Sequence, residues 1–364
     1  MPAPRDPPEG GPVAPDADAR PLDPRPALVI ANLGTPATPT AKDVRPYLRE
    51  FLSDRRVVEM HPLLWRPILE TMVLIRRPAD SAAKYRTVWR EGMEHTRSGS
   101  PLMHYTERQV ALVQDALGQD VVVRVAMRYG DPGVQDVMRD LMDAGHRRIA
   151  LLPAYPQYSA SSQAPVVDEA MRFMLTSRNQ PELRTVRSFP VNETYIEALA
   201  APIEAHWAEH GRPDASRGEH LLCSFHSIPA AMHAAGDPYR SECRATVAAL
   251  AERLGVTVSQ DNGADGGLVL TTFQSVFGRA EWIGPATIDT AEALGRAGCP
   301  RLDVICPGFM SDCLETLEEI DQLNRETFTE AGGGTFTYLR WGNDSEGCAR
   351  TLVEQARGLL AGWL

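Results

Sequence analysis

The feature that most constrains this chain is a series of continuously apolar segments, each followed by a polar turn and then by a stretch of helical period. The segments are ALVIANLG (27–34), VVVRVAMRYG (121–130), RIALLPAYP (148–156), HLLCSFHS (220–227), LVLTTFQS (268–275) and LDVICPGF (302–309). A strand with one wet face alternates apolar and polar residues, whereas a strand buried on both faces is apolar throughout. Repetition of strand, turn and helix therefore predicts an α/β fold, a doubly wound, mostly parallel sheet covered by helices. A chain of 364 residues exceeds what one hydrophobic core usually organises. Three segments precede a polar stretch near 176–220 and three follow it, which predicts two similar lobes, 26–184 and 185–343, with a boundary near Arg184. The last segment, 344–364, is expected to be a helix that packs back on the lobes.

Residues 1–25 hold eight prolines and almost no large apolar side chain, so a disordered leader is expected there. That stretch lacks the apolar core of a signal peptide, which predicts a cytoplasmic protein. The six cysteines form no C-x-x-C pair, so a zinc ribbon or thioredoxin-type site is not indicated and buried free thiols are the expectation. No apolar run reaches the roughly 20 residues that span a bilayer. The formal charge of -11 argues against a nucleic-acid partner, which would need a basic footprint.

In open parallel sheets, ligands bind beyond the carboxyl ends of the strands. One or two positions past the predicted strands stand Asn32, Thr35, Arg128, Tyr129, Tyr155, Tyr158, His226, Gln274, Ser275, Asp312 and Glu315. A His and acids on one side of a cleft, with Arg and Tyr on the other, suit a large flat anion. Neither G-x-x-x-x-G-K-[ST] nor G-x-G-x-x-G occurs, so a nucleotide loop does not compete. DCLETLEEI (312–320) is expected to open a helix after a Pro-Gly turn. Asp312, Glu315 and Glu319, at i, i+3 and i+7, would then share one face while Leu314 and Leu317 face the core. Like charges so stacked repel unless they are solvated or hold a cation. His226 ends a buried strand and precedes Ser227-Ile228-Pro229, and a neutral imidazole there can accept a proton. His206, Glu209 and His210 match H-x-x-E-H, but Gly211-Arg212-Pro213 ends the helix at once, so an exposed helix end is the better reading.

Seven ordered blocks carry a family resemblance: NLGTP (32–36), SGSPL (98–102), MRYGDP (127–132), YPQYS (155–159), SFHSIP (224–229), TFQSVFGR (272–279) and CPGFMSDCLETLEEI (306–320). From Ala27 to the final helix the chain resembles the ferrochelatases, most closely their proteobacterial branch. The resemblance implies two Rossmann-like lobes with a porphyrin between them, and insertion of Fe2+ with release of two protons in the last step of haem b synthesis. By the same resemblance His226 and Glu315 are the catalytic and metal-handling residues, and Asp312 and Glu319 extend an acidic path for protons or metal. Leu33, Tyr129 and Trp282 would line the porphyrin faces, and Arg77, Arg128 and Tyr85 would stand on the propionate side. Many members hold a [2Fe-2S] cluster through a Cys after YPQYS and three near the C-terminus. Ala160 and a lone Cys348 stand at those places, so no prosthetic group is expected, iron being a substrate. Cys313 replaces a histidine of animal members and Cys306 is expected to be structural, so neither is expected to be essential.

Residues 61–77, HPLLWRPILETMVLIRR, match the family's active-site lip. Their apolar side chains between arginines suit contact with a bilayer or a greasy porphyrin, the alternative being a buried amphipathic helix. Such a lip favours protoporphyrin IX over the four-propionate coproporphyrin and predicts peripheral attachment to the cytoplasmic membrane. The expected partners are porphyrin and Fe2+, with the chain a monomer or homodimer. Coproporphyrin ferrochelatase, a cobalt or nickel chelatase, and a non-catalytic tetrapyrrole carrier are the competing readings.

Overall fold

The computed structural model describes residues 22–261, 263–276, 278 and 280–364. Eight strands are present among them: β1 (Ala27–Gly34), β2 (Val122–Tyr129), β3 (Arg148–Pro153), β4 (Glu182–Thr185), β5 (His220–His226), β6 (Val269–Gln274), β7 (Arg301–Ile305) and β8 (Thr335–Leu339). They form two wholly parallel four-stranded sheets, ordered β2-β1-β3-β4 and β6-β5-β7-β8. Each sheet has the same order relative to its own first strand. The expected α/β, doubly wound architecture is therefore present in both halves.

The helices of the first half are α1 (Ala41–Ser53), α2 (Pro62–Ile68), α3 (Leu74–Val88), α4 (Pro101–Leu117), α5 (Val134–Asp143) and α6 (Gln163–Thr176). A π-helical turn, Leu69–Val73, joins α2 to α3. The second half adds α7 (Glu193–His210), α8 (Ala230–Ala234), α9 (Tyr239–Leu254), α10 (Thr287–Arg296), α11 (Arg325–Glu330) and α12 (Glu346–Leu360). A ten-residue π-helix, Glu315–Asn324, runs directly into α11.

Alternate side chains of the central strands serve two cores. On β1, Ala27, Val29 and Ala31 face α5 and α6, packing with Met138, Leu141 and Phe173. Leu28 and Ile30 face the other way into a core shared by both halves, which includes Leu221 and Phe225 of β5 and Leu352 of α12. Burial on both faces is the physical cause of the uninterrupted apolar runs. The edge strands β4, ELRT, and β8, TFTYL, are half wet and carry no such run, so sequence patterning missed them. A division at Arg184 would cut β4, so that expected boundary falls inside a strand. The closing helix α12 packs on α4 and β3 as well as α7, joining the halves.

Residues 1–21 of the expected leader lie outside the described residues. Its end is part of the fold: Asp23 bridges to His146, and Arg25 pairs with Asp23 at 2.6 Å. The H-x-x-E-H motif is also absorbed. Asp303 of β7, fully buried, accepts from Trp207 at 3.0 Å and Arg301 at 2.7 Å, with His206 at 3.2 Å. A buried carboxylate needs this many donors.

Gly34 closes β1 against Tyr129 with φ +115, and a Cβ there would stand 1.9 Å from the Tyr129 carbonyl oxygen. Gly34→Ala is expected to lower unfolding free energy by more than about 2 kcal/mol. Urea unfolding followed by far-UV circular dichroism checks this, and an unchanged midpoint would contradict the β1–β2 register.

Candidate active site

A strand order of 2-1-3-4 reverses direction between the first and third strands, and that switch point opens a crevice at the strands' carboxyl ends. In the first sheet the crevice lies past β1 and β3, which places Asn32, Leu33, Thr35 and Tyr155 there. In the second it lies past β5 and β7, which places His226 and the loop leading to Glu315. Topology thus brings together residues that are 89 positions apart, 226 and 315.

His226 is the last residue of β5, half-buried and in register with Gln274 of β6. Its Nδ1 lies 2.6 Å from the Ser227 carbonyl oxygen. A carbonyl only accepts, so Nδ1 carries a proton, and in the neutral ring the lone pair is on Nε2. The neighbouring Gln274 is held by the Ser224 hydroxyl at 2.7 Å, and its amide donates to the Glu315 carbonyl at 2.7 Å. One amide thereby ties β6 to the first turn of the π-helix.

Glu319 is anchored by Ser275, whose backbone N–H and hydroxyl donate to its carboxylate at 2.6 Å and 2.5 Å. Ser275 adopts φ 63, a left-handed conformation that is uncommon outside glycine, and both donors point at Glu319. Burial pushes the Glu319 carboxyl above its usual range, and the neighbouring Glu315 charge adds to this. The Ser275 donors and His226 act in the opposite direction. Glu315, Glu319 and His226 therefore lie within electrostatic reach of one another. Cys313 is buried beside Glu315, its thiol pushed up by burial and by that carboxylate.

The expected acidic stripe needs correction. Residues 315–324 form a π-helix, whose turn is wider than the 3.6 residues assumed. Thr316, Ile320 and Asn324 form its buried face, and Leu317 is only half-buried. Asp312 precedes the helix and does not join Glu315 and Glu319. Its carboxylate accepts from the Thr316 hydroxyl at 2.7 Å, the Tyr338 hydroxyl at 2.8 Å and the Asn343 amide at 2.7 Å.

Across the crevice stands an aromatic wall. Leu33, Tyr47, Tyr85, Trp89 and Tyr129 pack together with Leu314 from the second half. The Tyr47 hydroxyl donates to the Gly34 carbonyl at 3.3 Å, and burial raises the hydroxyls of both Tyr47 and Tyr85, with Glu315 adding to the rise. Tyr129 is fully buried and donates to Asp54 at 3.0 Å. Arg128 lies over the Tyr129 ring, 4.2 Å from its centroid. Its buried guanidinium pairs with Asp54, with Glu169 at 3.2 Å and with Glu50 at 3.7 Å. Arg128 is thus already neutralised by carboxylates, which corrects its expected place as a propionate partner. Arg77 is exposed on α3, on the same helix as Tyr85. Trp282 is half-buried and bridges antiparallel to Pro229, three residues from His226. Tyr47 carried no sequence signal, since it reads as one more apolar-face residue of α1.

Residues 61–77 show an outer face that is apolar and uncovered: Leu63 is 78% exposed, Leu64 65%, Met72 66% and Ile75 64%. Leu69 and Leu74 anchor the inner face. The alternative of a wholly buried amphipathic helix does not hold here. Among the described residues, no helix is long and apolar enough to cross a membrane, and no three His, Cys, Asp or Glu side chains converge on a metal-binding geometry.

An imidazole and a carboxylate pair at the switch point of the second sheet, opposite an aromatic wall at that of the first, are set in a two-lobed α/β protein of the chelatase class. The family model described as Ferrochelatase matches residues 25–358. The ferrochelatase of Neisseria meningitidis serogroup C is 45% identical over 339 residues, covering 93% of this chain and 95% of that one. Those of Chromobacterium violaceum and Aromatoleum aromaticum are 44% and 45% identical over 344 residues, covering 93% of this chain and 89% of each relative. The chain belongs to the ferrochelatase family. It is a metal-chelatase lyase that inserts Fe2+ into porphyrin in haem biosynthesis. Among solved structures, SirB from Bacillus subtilis with Fe3+ aligns with a TM-score of 0.48 at 11% identity, over 72% of this chain and 92% of that one.

A carboxyl raised above its unfolded value binds more protons in the folded state, so ionising it costs stability. That cost is absent below the unfolded value near 4.5 and grows as pH rises towards the raised one. Glu319→Gln removes the cost. Its stability relative to the parent should therefore increase between pH 4 and 7, as read by denaturant midpoints across that range. A difference that is flat or falls with pH would contradict the burial of Glu319.

Proposed function

We propose that the substrate is protoporphyrin IX and that His226 is the group that takes its pyrrole protons. The observation carrying this reading is the orientation of the ring: Nδ1 donates to the Ser227 carbonyl at 2.6 Å, so in the neutral imidazole the accepting lone pair is on Nε2. Insertion replaces two pyrrole N–H protons by Fe2+, so a site must supply a base, a cation path and a wall against the macrocycle. His226 accepts the protons in turn, an imidazole being suited to that exchange near neutral pH. Glu315 and Glu319 draw the cation inward and take protons away, and the raised Glu319 carboxyl suits that exchange. Leu33 and Trp282, both half-buried, form the surfaces against which the ring lies, with Tyr85 and the fully buried Tyr129 packed behind Leu33, and Arg77 is the guanidinium that would meet a propionate.

The exposed lip at Leu63, Leu64, Met72 and Ile75 supports both the apolar substrate and peripheral attachment of a cytoplasmic protein to a membrane. No [2Fe-2S] cluster is part of this reading, because Ala160 stands where a cysteine would follow YPQYS and Cys348 alone lies near the C-terminus.

His226→Ala and Glu315→Gln are each expected to reduce insertion by at least about 1000-fold while leaving the fold intact, the loss typical of removing a central base or charge. The assay is anaerobic loss of porphyrin fluorescence on adding Fe2+. Faster quenching of protoporphyrin IX than of coproporphyrin III is expected, and the reverse order would overturn the substrate assignment. Replacing Leu63, Met72 and Ile75 together by Ser should abolish co-sedimentation with lipid vesicles, and retained sedimentation would remove the lip from membrane contact.

A further inference from the structure

The Glu315 carboxylate works only if it stands at a set distance from the opposite wall, and nothing in the π-helix alone sets that distance. What lies beneath the helix is a largely buried polar chain that crosses between the halves. It begins at Leu33, whose N–H donates to the Asn32 side chain at 2.8 Å. Asn32 donates to Thr106 of α4 at 3.0 Å, and Thr106 lies 3.5 Å from the Ser311 hydroxyl. One turn along α4, the Gln109 amide donates across the boundary to the carbonyls of Met310 at 2.7 Å and Asn343 at 2.9 Å. The Gln109 oxygen accepts from Ser311 at 3.3 Å. Gln109, Thr106, Ser311 and Asp312 are all buried.

The chain ends on Asp312 and Asn343, which are locked by a reciprocal pair of bonds. The Asp312 N–H donates to the Asn343 side-chain oxygen at 2.7 Å, and the Asn343 amide donates to the Asp312 carboxylate at 2.7 Å. Asn343 sits at φ 61, a left-handed conformation that Asn tolerates better than most side chains. With Thr316 and Tyr338 on its other oxygen, the Asp312 carboxylate accepts three hydrogen bonds, and the Arg340 guanidinium stands 3.7 Å from the oxygen that Asn343 holds. A cation or proton at this carboxylate would compete with these partners and with the Arg340 charge. Thr316, which Asp312 holds, is the residue after Glu315.

We propose that Asp312, Asn343 and Gln109 are positioning residues of the insertion reaction, a cross-lobe clamp that fixes Glu315 relative to the Leu33 wall, rather than members of the acidic path. The proposal rests on the assignment of Glu315 given above. A carboxylate displaced by about 1 Å costs on the order of 100-fold in rate, so the clamp's effect is read in kcat. The metal and porphyrin KM values stay nearly constant because the clamp touches neither substrate.

An exchange of the two side chains tests this. Asp312→Asn sets two amide groups against each other, and Asn343→Asp sets two carboxylates against each other. Each alone should lower kcat by about 100-fold. The double variant D312N/N343D restores every bond of the pair with the charge on the other side, and kcat should recover to within about fivefold of the parent. The pH profile of kcat/KM should keep its shape, since no acid or base of the reaction is lost. Glu315→Gln is measured alongside. Recovery in the double variant with Glu315→Gln inactive supports the clamp. A folded double variant as inactive as Asp312→Asn, with Glu315→Gln inactive, overturns the clamp alone and returns Asp312 to the path. Full activity of Glu315→Gln overturns the site assignment and the clamp with it. Should the double variant fail to fold, Gln109→Met decides: a fall in kcat of about tenfold or more at unchanged porphyrin KM supports the clamp, and an unchanged kcat in the folded protein overturns it.

Discussion

Parallel pairing of two four-stranded sheets is the constraint from which the rest of this structure follows. Parallel neighbours cannot be joined by a tight turn, so each connection is a crossover that returns to the same edge, and every strand ends where the others end. The two sheets share the order that places a switch point beside the first strand. Their inner faces are sealed into one core through Leu28, Ile30, Leu221 and Phe225, so the two crevices are held as one cleft. Function in such a protein is placed by topology before any side chain is chosen.

Side-chain chemistry then divides the cleft into unequal walls. The second half contributes a base and two carboxylates held from two strand ends: His226 by Ser227 past β5, and Glu315 and Glu319 by Gln274 and Ser275 at the end of β6. The first half contributes tyrosines whose hydroxyls are kept protonated by burial, which suits a face that must contact an apolar ring without competing for its protons. Arg128, the cation nearest that wall, is neutralised by Asp54, Glu169 and Glu50 and props Tyr129 from behind. Asp312 precedes the π-helix and is turned towards Thr316, Tyr338 and Asn343, apart from Glu315 and Glu319 within it. A buried carboxylate and two half-buried ones thus occupy the same short stretch of chain.

Much of this was legible in the amino-acid order. Strands buried on both faces announce themselves as unbroken apolar runs, so β1, β2, β3, β5, β6 and β7 could be read directly, and their ends identified His226 and Glu315 as candidates. The ordered blocks from NLGTP to CPGFMSDCLETLEEI carry enough of the family's character to place the chain among ferrochelatases. The edge strands β4 and β8 were not legible, because they are half solvated and lack the run that burial imposes, which the other two edges, β2 and β6, keep. Tertiary structure alone decided the partner of each polar group. Whether Arg128 meets a propionate or Asp54, and whether Asp312 lies on a reactive stripe or under Tyr338 and Asn343, depends on residues 26 to 74 positions away. Sequence spacing reports local geometry, and it assumed 3.6 residues per turn where the folded chain takes a π-helix. Apolar patterning is written by burial, which acts on every strand residue. The pairing of charges is written by contacts between distant segments, and those exist only once the chain has folded.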